Sequence, residues 1–217
     1  MSNGKVLFTF WDGGYGHLER VLSIAQFLKD KGFIIGAISS SNYLSLISKR
    51  PFFDEIYCIE NKKSHIHTPP YPFPVYKHAY THSQRLRGLE FDDIKFLKST
   101  VQKEISAIKK FKPNLIINDY RDTIRISAES ENIPIIGITN SNGNTNGYKL
   151  GWWVPIPKDL IFPDCLDSFN IVRDYFGLTP YSDEREIFEG DICIIPNSEL
   201  LEPLKTKGEK DIHVGIL

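Results

Sequence analysis

Short apolar runs alternate along the chain with longer stretches in which apolar residues recur every three or four positions. The first such pair is the apolar run 5–10 followed by the stretch from Leu18 to Leu28, which keeps helical spacing up to Gly32. Alternation of this kind is typical of βα units, which place their strands in a parallel sheet. The pattern therefore predicts an α/β protein.

The same pattern gives the bounds of the predicted elements. The predicted strands cover residues 5–10, 33–38, 55–59, 114–119, 133–139 and 191–196. The predicted helices cover residues 17–32, 42–49, 91–111, 123–131, 167–176 and 182–188. We expect a doubly wound, mainly parallel, Rossmann-like sheet of about six or seven strands, with the order reversing near the first strand. No repeat or linker divides the chain, so residues 1–217 are predicted to form a single domain.

Composition and charge exclude several classes of protein. The formal net charge of -1 leaves no broad basic surface for nucleic acid, so no nucleic-acid partner is expected. No window holds the roughly 18 apolar residues of a membrane helix. Three scattered cysteines, Cys58, Cys165 and Cys193, predict buried thiols in a reducing compartment, which favours a cytoplasmic location.

A cluster of glycines follows the first strand and leads into a helix that is predicted to open on His17. Gly13, Gly14 and Gly16 would let the backbone turn at the carboxyl edge of the sheet, where open α/β folds bind ligands. The free N–H groups of the helix could hold a phosphate, or His17 could act as a general base. A purely structural histidine is the alternative. Arg20 stands where a dinucleotide-binding fingerprint would need its third glycine.

Three segments together resemble one known family. "GHLERVLSIAQFLKDKGFIIGAIS" resembles the N-terminal signature of GT-B glycosyltransferases, and "KPNLIINDYRDTIRISAESENIPIIGITNS" is similar to a later strand, helix and strand of the same enzymes. "IHVGIL" is similar to the segment that enters their interdomain linker. The resemblance is to UDP-glycosyltransferases and to natural-product and lipid glycosyltransferases, including the enzyme that forms lipid II. It implies one half of a GT-B fold, ending at the interdomain linker, with the donor domain absent.

The resemblance also implies roles for individual residues. His17 would be the general base that deprotonates an acceptor hydroxyl, and Asp119 would hold its other ring nitrogen. A helix cap is the alternative for Asp119, and Asp122 competes for either role. The expected acceptor- or phosphate-binding residues are Gly13, Gly14, Gly16, Tyr76, Tyr80, Arg85, Asn140 and Trp152. His65, His67, His78 and His82 suggest a metal site, and His78 and His82 have an i, i+4 spacing, but a metal site is not predicted from them.

The function that follows is transfer of a hexose from a nucleotide-activated sugar to a hydroxyl acceptor, and this isolated domain is expected to be inactive. No cofactor is expected to bind tightly, and the nucleotide diphosphate sugar is the donor expected in the full-length enzyme. The expected partners are a small-molecule or lipid-linked acceptor and a C-terminal donor domain, in cis or as a separate subunit. Peripheral membrane contact is consistent with a lipid-linked acceptor. The alternatives are a non-catalytic α/β module that binds a small anion, and half of a nucleotide-sugar epimerase or hydrolase.

Overall fold

The computed structural model describes residues 3–11, 14–60, 82, 86, 89–148 and 165–215. Within these residues one sheet contains seven strands: β1 Lys5–Phe10, β2 Ile34–Ser39, β3 Glu55–Cys58, β4 Leu115–Asp119, β5 Ile135–Ile138, β6 Ile192–Ile195 and β7 Asp211–His213. Their order is β3-β2-β1-β4-β5-β6-β7, and every neighbouring pair is parallel. The order reverses between β1 and β4, which confirms the predicted Rossmann-like sheet.

Helices connect the strands on both faces of the sheet. In the described part of the chain, the α-helices with defined bounds are α1 Tyr15–Asp30, α2 Ser41–Ile47, α3 Ile94–Phe111, α4 Ile124–Ser130 and α5 Leu166–Tyr175. Two short 3-10 helices cover Ser141–Gly143 and Glu184–Phe188. α1 and α2 pack on one face with Val6, Phe8 and Phe10 of β1, while α3 and α4 pack on the other face with Leu7. Each large apolar side chain buried in these layers contributes about 1.5–3 kcal/mol relative to an exposed one.

Several predicted helix boundaries are wrong. α1 begins at Tyr15 rather than His17, so Gly16 is helical. α3 begins at Ile94 rather than at residue 91, because the Asp93 carboxylate caps it by accepting from the N–H groups of Lys95 and Phe96. The predicted helix 182–188 is a 3-10 helix that begins at Glu184.

The position of the seventh strand was not predicted, and one cysteine differs from prediction. β7 has three residues, too few for a recognisable apolar run, and it pairs only with β6 at the edge of the sheet. Cys58 is exposed because it is the last residue of the edge strand β3, which corrects its predicted burial. Cys165 and Cys193 are buried as expected, and burial raises the pKa of Cys193 to about 11.

Among the residues that the structure describes, no helix combines the length and apolarity needed to cross a membrane.

Candidate active site

The candidate site lies at the carboxyl edge of the sheet, where the strand order reverses. β1 and β4 are neighbours there, and Phe10 is paired with Asp119 in their parallel register. The N–H of Trp11 donates to the Asp119 carbonyl at 2.7 Å, which extends the pairing one residue beyond β1. α1 starts a few residues later, so its first turn stands beside the end of β4. Open parallel sheets bind ligands at such a reversal.

Asp119 faces α1 because side chains alternate along a strand. Ile117, two residues earlier, packs in the cluster beneath α1, whereas Ile116 packs in the cluster under α3 and α4. The Asp119 side chain is fully buried and lies 2.6 Å through Oδ1 from His17 Nδ1. The His17 side chain keeps 19% of its surface exposed. The contact expected between these two residues is therefore present.

Arg20 is the residue of this cluster that the sequence reasoning missed. Its guanidinium makes a bidentate contact with the Asp119 carboxylate, in which Nε donates to Oδ2 at 2.8 Å and Nη2 donates to Oδ1 at 3.0 Å. Arg20 reaches the site because positions three apart share one face of a helix, and His17 is at i−3. The i, i+3 spacing of His17 and Arg20 is the sequence signal for this contact.

Aromatic rings surround His17 on two sides. Trp11 meets the imidazole edge-on at 5.2 Å between centroids, and Tyr120 does so at 5.6 Å. Tyr120 stacks in turn on Phe188 at 5.1 Å, and its hydroxyl lies 3.2 Å from Thr139 Oγ1. These rings restrict the imidazole and give the site an apolar wall. Their contribution was not predicted.

The turn that carries Asp119 is held by the side chain of Asn118. Its Oδ1 accepts from the Thr9 hydroxyl at 2.8 Å and from the Arg121 N–H at 2.9 Å. Tyr120, next along the chain, adopts a positive φ of 65°, which bends the backbone sharply after β4. The helix that follows begins after Thr123, so Asp119 does not have the capping role considered for it. Every polar contact of His17 with a described residue is to Asp119 or Arg20.

The other predicted site residues fall into two groups. Gly14 is an extended residue at the start of α1, with φ −162°, and Gly16 lies inside α1, so neither makes the predicted sharp turn. A methyl group at Gly14 would meet His17 Cδ2 at 3.6 Å, an ordinary contact distance. Asn140 is exposed at the same edge of the sheet, and its N–H donates to the Tyr120 hydroxyl at 3.3 Å. The predictions that lie outside the described residues are Gly13, Tyr76, Tyr80, Arg85 and Trp152.

The described residues contain no group of three or more His, Cys, Asp or Glu side chains placed to hold a metal ion. Of the four histidines considered for a metal, His65, His67 and His78 lie outside those residues. His82 packs against Phe188 at 4.7 Å between ring centroids and lies 3.1 Å through Nε2 from the carbonyl of Asn142. That nitrogen is thus engaged by backbone.

Comparisons with known proteins find similar structures but no similar sequence. No family model and no curated protein sequence matches the chain. Among solved structures, the chain is similar to CalG4, the calicheamicin glycosyltransferase, with a TM-score of 0.64, 17% identity, and coverage of 100% of this chain and 53% of that one. It is also similar to the glycotransferase of kitacinnamycin, with a TM-score of 0.64, 12% identity, and coverage of 99% and 52%.

A third similar structure is MurG of Acinetobacter baumannii, with a TM-score of 0.53, 11% identity, and coverage of 99% of this chain and 45% of that one. The chain thus spans about half the length of the structures that it matches. All three are GT-B glycosyltransferases, and at these identities the likeness concerns the fold. The chain has the fold of one half of a GT-B glycosyltransferase.

Proposed function

We propose that this chain is the acceptor-binding half of a glycosyltransferase, which moves a hexose from a nucleotide-activated sugar to a hydroxyl acceptor. The observation that carries the proposal is the 2.6 Å contact between His17 Nδ1 and the buried Asp119 carboxylate, at the ligand-binding edge of a GT-B half. A partly exposed imidazole held by a buried carboxylate is the arrangement that general-base catalysis needs.

In the proposed reaction His17 accepts the proton of the acceptor hydroxyl. Nδ1 donates to Asp119, which leaves the lone pair on Nε2, and Nε2 has no hydrogen-bond partner among the described residues. As the proton moves to Nε2, the acceptor oxygen bonds to the anomeric carbon of the sugar. The bond from that carbon to the nucleotide diphosphate breaks, and the diphosphate leaves with the electron pair. The carboxylate offsets the positive charge that develops on the imidazole.

The walls of the site favour an acceptor with an apolar or ring-shaped body. Trp11 and Tyr120 flank the imidazole, and such rings cover sugar rings and apolar groups well. The matched structures include a calicheamicin glycosyltransferase, a spinosyn forosaminyltransferase and a MurG. We propose a small-molecule or lipid-linked hydroxyl acceptor here, with peripheral membrane contact in the lipid-linked case.

The nucleotide sugar is proposed to bind mainly to a second half, in the same polypeptide or in a separate subunit. This follows from the coverage, since the chain accounts for about half of each matched enzyme. Binding measurements test the assignment of halves. Uridine diphosphate and thymidine diphosphate are titrated into the 217-residue chain by calorimetry, and only weak binding is expected. A Kd at or below about 1 μM for either would contradict the acceptor-half assignment and favour the epimerase alternative.

A second measurement tests the site itself. A panel of phenols, sugars and prenyl phosphates is screened for binding by the NMR signals of ¹⁵N-labelled histidine. A genuine acceptor is expected to move the Nε2 signal of His17 and to leave that of His213 in place, because His213 Nε2 donates to the Glu202 carbonyl at 2.8 Å. Acceptors that bind without moving the His17 signal would contradict its role as the base.

A further inference from the structure

We propose that Arg20 is a positioning residue for the base: it fixes the tautomer of His17 and opposes protonation of the imidazole. The inference rests on the proposed function, in which His17 is the base. It adds a third member to the pair of residues that the sequence suggested. Arg20 acts through Asp119 and His17, and it need not touch the substrate.

The tautomer follows from which atoms can donate. A guanidinium nitrogen has no lone pair to offer, so Arg20 Nη2 is always a donor. His17 Nδ1 lies 2.6 Å from Oδ1 of a buried carboxylate, and a lone pair on Nδ1 would repel that oxygen. Nδ1 therefore carries the hydrogen and donates to Asp119.

The 3.0 Å separation between Arg20 Nη2 and His17 Nδ1 then has a specific meaning. Both atoms are donors, and both point at Oδ1, which Nη2 reaches at 3.0 Å. Nε of Arg20 occupies the other carboxylate oxygen, Oδ2, at 2.8 Å. Because both oxygens accept hydrogen bonds from Arg20, the carboxylate cannot rotate. The imidazole therefore contacts it in one orientation, through Nδ1.

The charges of Asp119 and Arg20 together determine how favourable a proton on His17 is. In an isolated histidine–aspartate pair, the full carboxylate charge favours the imidazolium. Here the guanidinium already balances the Asp119 charge, so a proton on His17 would place a second cation next to Arg20. From β4 the facing charged group is Asp119, and from α1 it is Arg20. Among the described residues, the other rings in contact with the imidazole are those of Trp11 and Tyr120, and the Tyr120 hydroxyl accepts from Thr139 Oγ1.

The consequence for the proposed reaction is a base held in one tautomer, with its lone pair on Nε2. It also gives up its proton readily once the sugar has been transferred, because the imidazolium is stabilised less. Loss of Arg20 is therefore expected to change kcat and its pH profile, and to leave the KM for the acceptor nearly unchanged.

The test is an NMR titration of the ¹⁵N-histidine-labelled chain, with the His17 signal assigned by its loss in His17→Ala. In the wild type, the spectrum at neutral pH is expected to show hydrogen on Nδ1 of His17. In Arg20→Gln, the midpoint of the His17 titration is expected to rise, because the variant removes a neighbouring cation. Arg20→Lys keeps the charge, so its midpoint is expected to stay near that of the wild type.

Lys29→Gln is the matched control, because it removes the same charge from the other end of α1, where Lys29 pairs with Asp54 at 2.6 Å. It is expected to leave the His17 titration unchanged. The proposal is overturned if Arg20→Gln leaves the midpoint in place, or if Lys29→Gln moves it equally. Should Arg20→Gln fail to fold, Arg20→Lys still tests the tautomer, and hydrogen on Nε2 instead of Nδ1 in the wild type overturns the proposal without any variant.

The pH profile of turnover in the complete enzyme separates this inference from the proposed function. If both are right, Arg20→Gln moves the acidic limb upward and Arg20→Lys restores it. If His17→Ala retains full turnover, the proposed function fails, while the titration still decides the inference about Arg20. An unshifted titration with an inactive His17→Ala overturns the role of Arg20 and leaves the base in place.

Discussion

Two acid–arginine pairs flank the end of β4, one on each face of the sheet, and they differ in exposure and in what surrounds them. Asp119 and Arg20 meet on the α1 face, where the arginine keeps 21% of its side-chain surface exposed. Glu104 and Arg121 meet on the α3 face at 2.6 Å, and both side chains are fully buried. The first pair has an imidazole in contact with it, and the second has none among the residues that the structure describes.

The partners of the buried pair show why it is structural. Glu104 Oε1 accepts from the Thr123 hydroxyl at 2.5 Å, and Oε2 accepts from the Ser127 hydroxyl at 2.6 Å. Arg121 Nη2 donates to the Ile59 carbonyl at 3.0 Å. These bonds tie α3, α4 and the end of β3 together behind the site. The comparison teaches that the same two residue types stabilise the fold where water is excluded, and hold a partly exposed imidazole where one side remains open.

The largest expected effect is on the buried pair. Glu104→Gln removes the charge that compensates a fully buried guanidinium, so the free energy of unfolding is expected to fall by about 3–5 kcal/mol. Denaturant unfolding measures this change. Glu131→Gln is the control, because Glu131 pairs at 3.3 Å with a Lys109 side chain that is 65% exposed, and a loss below about 1 kcal/mol is expected. Equal losses in the two variants would contradict the distinction.

Asp119→Asn tests the pair on the α1 face, and the measurement is turnover. The amide keeps the shape of the side chain but cannot offset a positive charge on His17, and it no longer fixes which ring nitrogen carries the hydrogen. Turnover of the complete enzyme is expected to fall, by less than the roughly 100-fold loss of a missing general base. An unchanged turnover would show that the carboxylate has only a structural role.

Arg20→Gln should cost less stability than Glu104→Gln, although both leave a buried partner behind. His17 still donates to Asp119 in this variant, and water reaches the partly exposed Arg20 position. The free energy of unfolding is expected to fall by about 1.5–3 kcal/mol, the value of a hydrogen bond to a charged group. A loss as large as that of Glu104→Gln would place Arg20 among the structural residues.

The smallest effect concerns an exposed pair at the far end of α1. Burial opposes ionisation of Asp54, but hydrogen bonds from Lys29 and from the Ile35 N–H outweigh it and lower the pKa below the ordinary value of 3.8. Its stabilisation is therefore present above that ordinary pKa and is lost as the pH falls through the lowered one. Asp54→Asn should remove only a few tenths of a kcal/mol of this acid dependence, because solvent screens the pair. Unfolding measured from pH 6 to about pH 2 checks the sign.

The sequence predicted the sheet well because buried parallel strands need continuous apolar runs. β1 and β4 were found within one residue of their ends, and the reversal of order beside β1 follows from the sequence of βα units. β7 was not predicted, because a three-residue edge strand has no such apolar run and leaves Ile212 exposed. A helix was predicted after Asp183, but its 3-10 type was not, because its composition matches that of an α-helix.

The candidate site was predicted in part. His17 and Asp119 came from a family resemblance, and spacing alone would not have paired residues that are 102 positions apart. Arg20 could have been found, since a charged residue at i+3 on the face of His17 must lie near the same strand end. Trp11 and Tyr120 could not, because their contact with the imidazole depends on the positive φ of Tyr120 and on the register of β1 against β4.

The most direct test of the central claim is the turnover of His17→Ala in the complete enzyme, measured together with acceptor affinity. Glu19→Gln, an exposed neighbour on α1, is the matched control. The account predicts that His17→Ala lowers kcat by roughly 100-fold or more, with acceptor affinity nearly unchanged and the control fully active. Full activity of His17→Ala would contradict it, and the contact between His17 and Asp119 would then serve only to fasten α1 to the sheet.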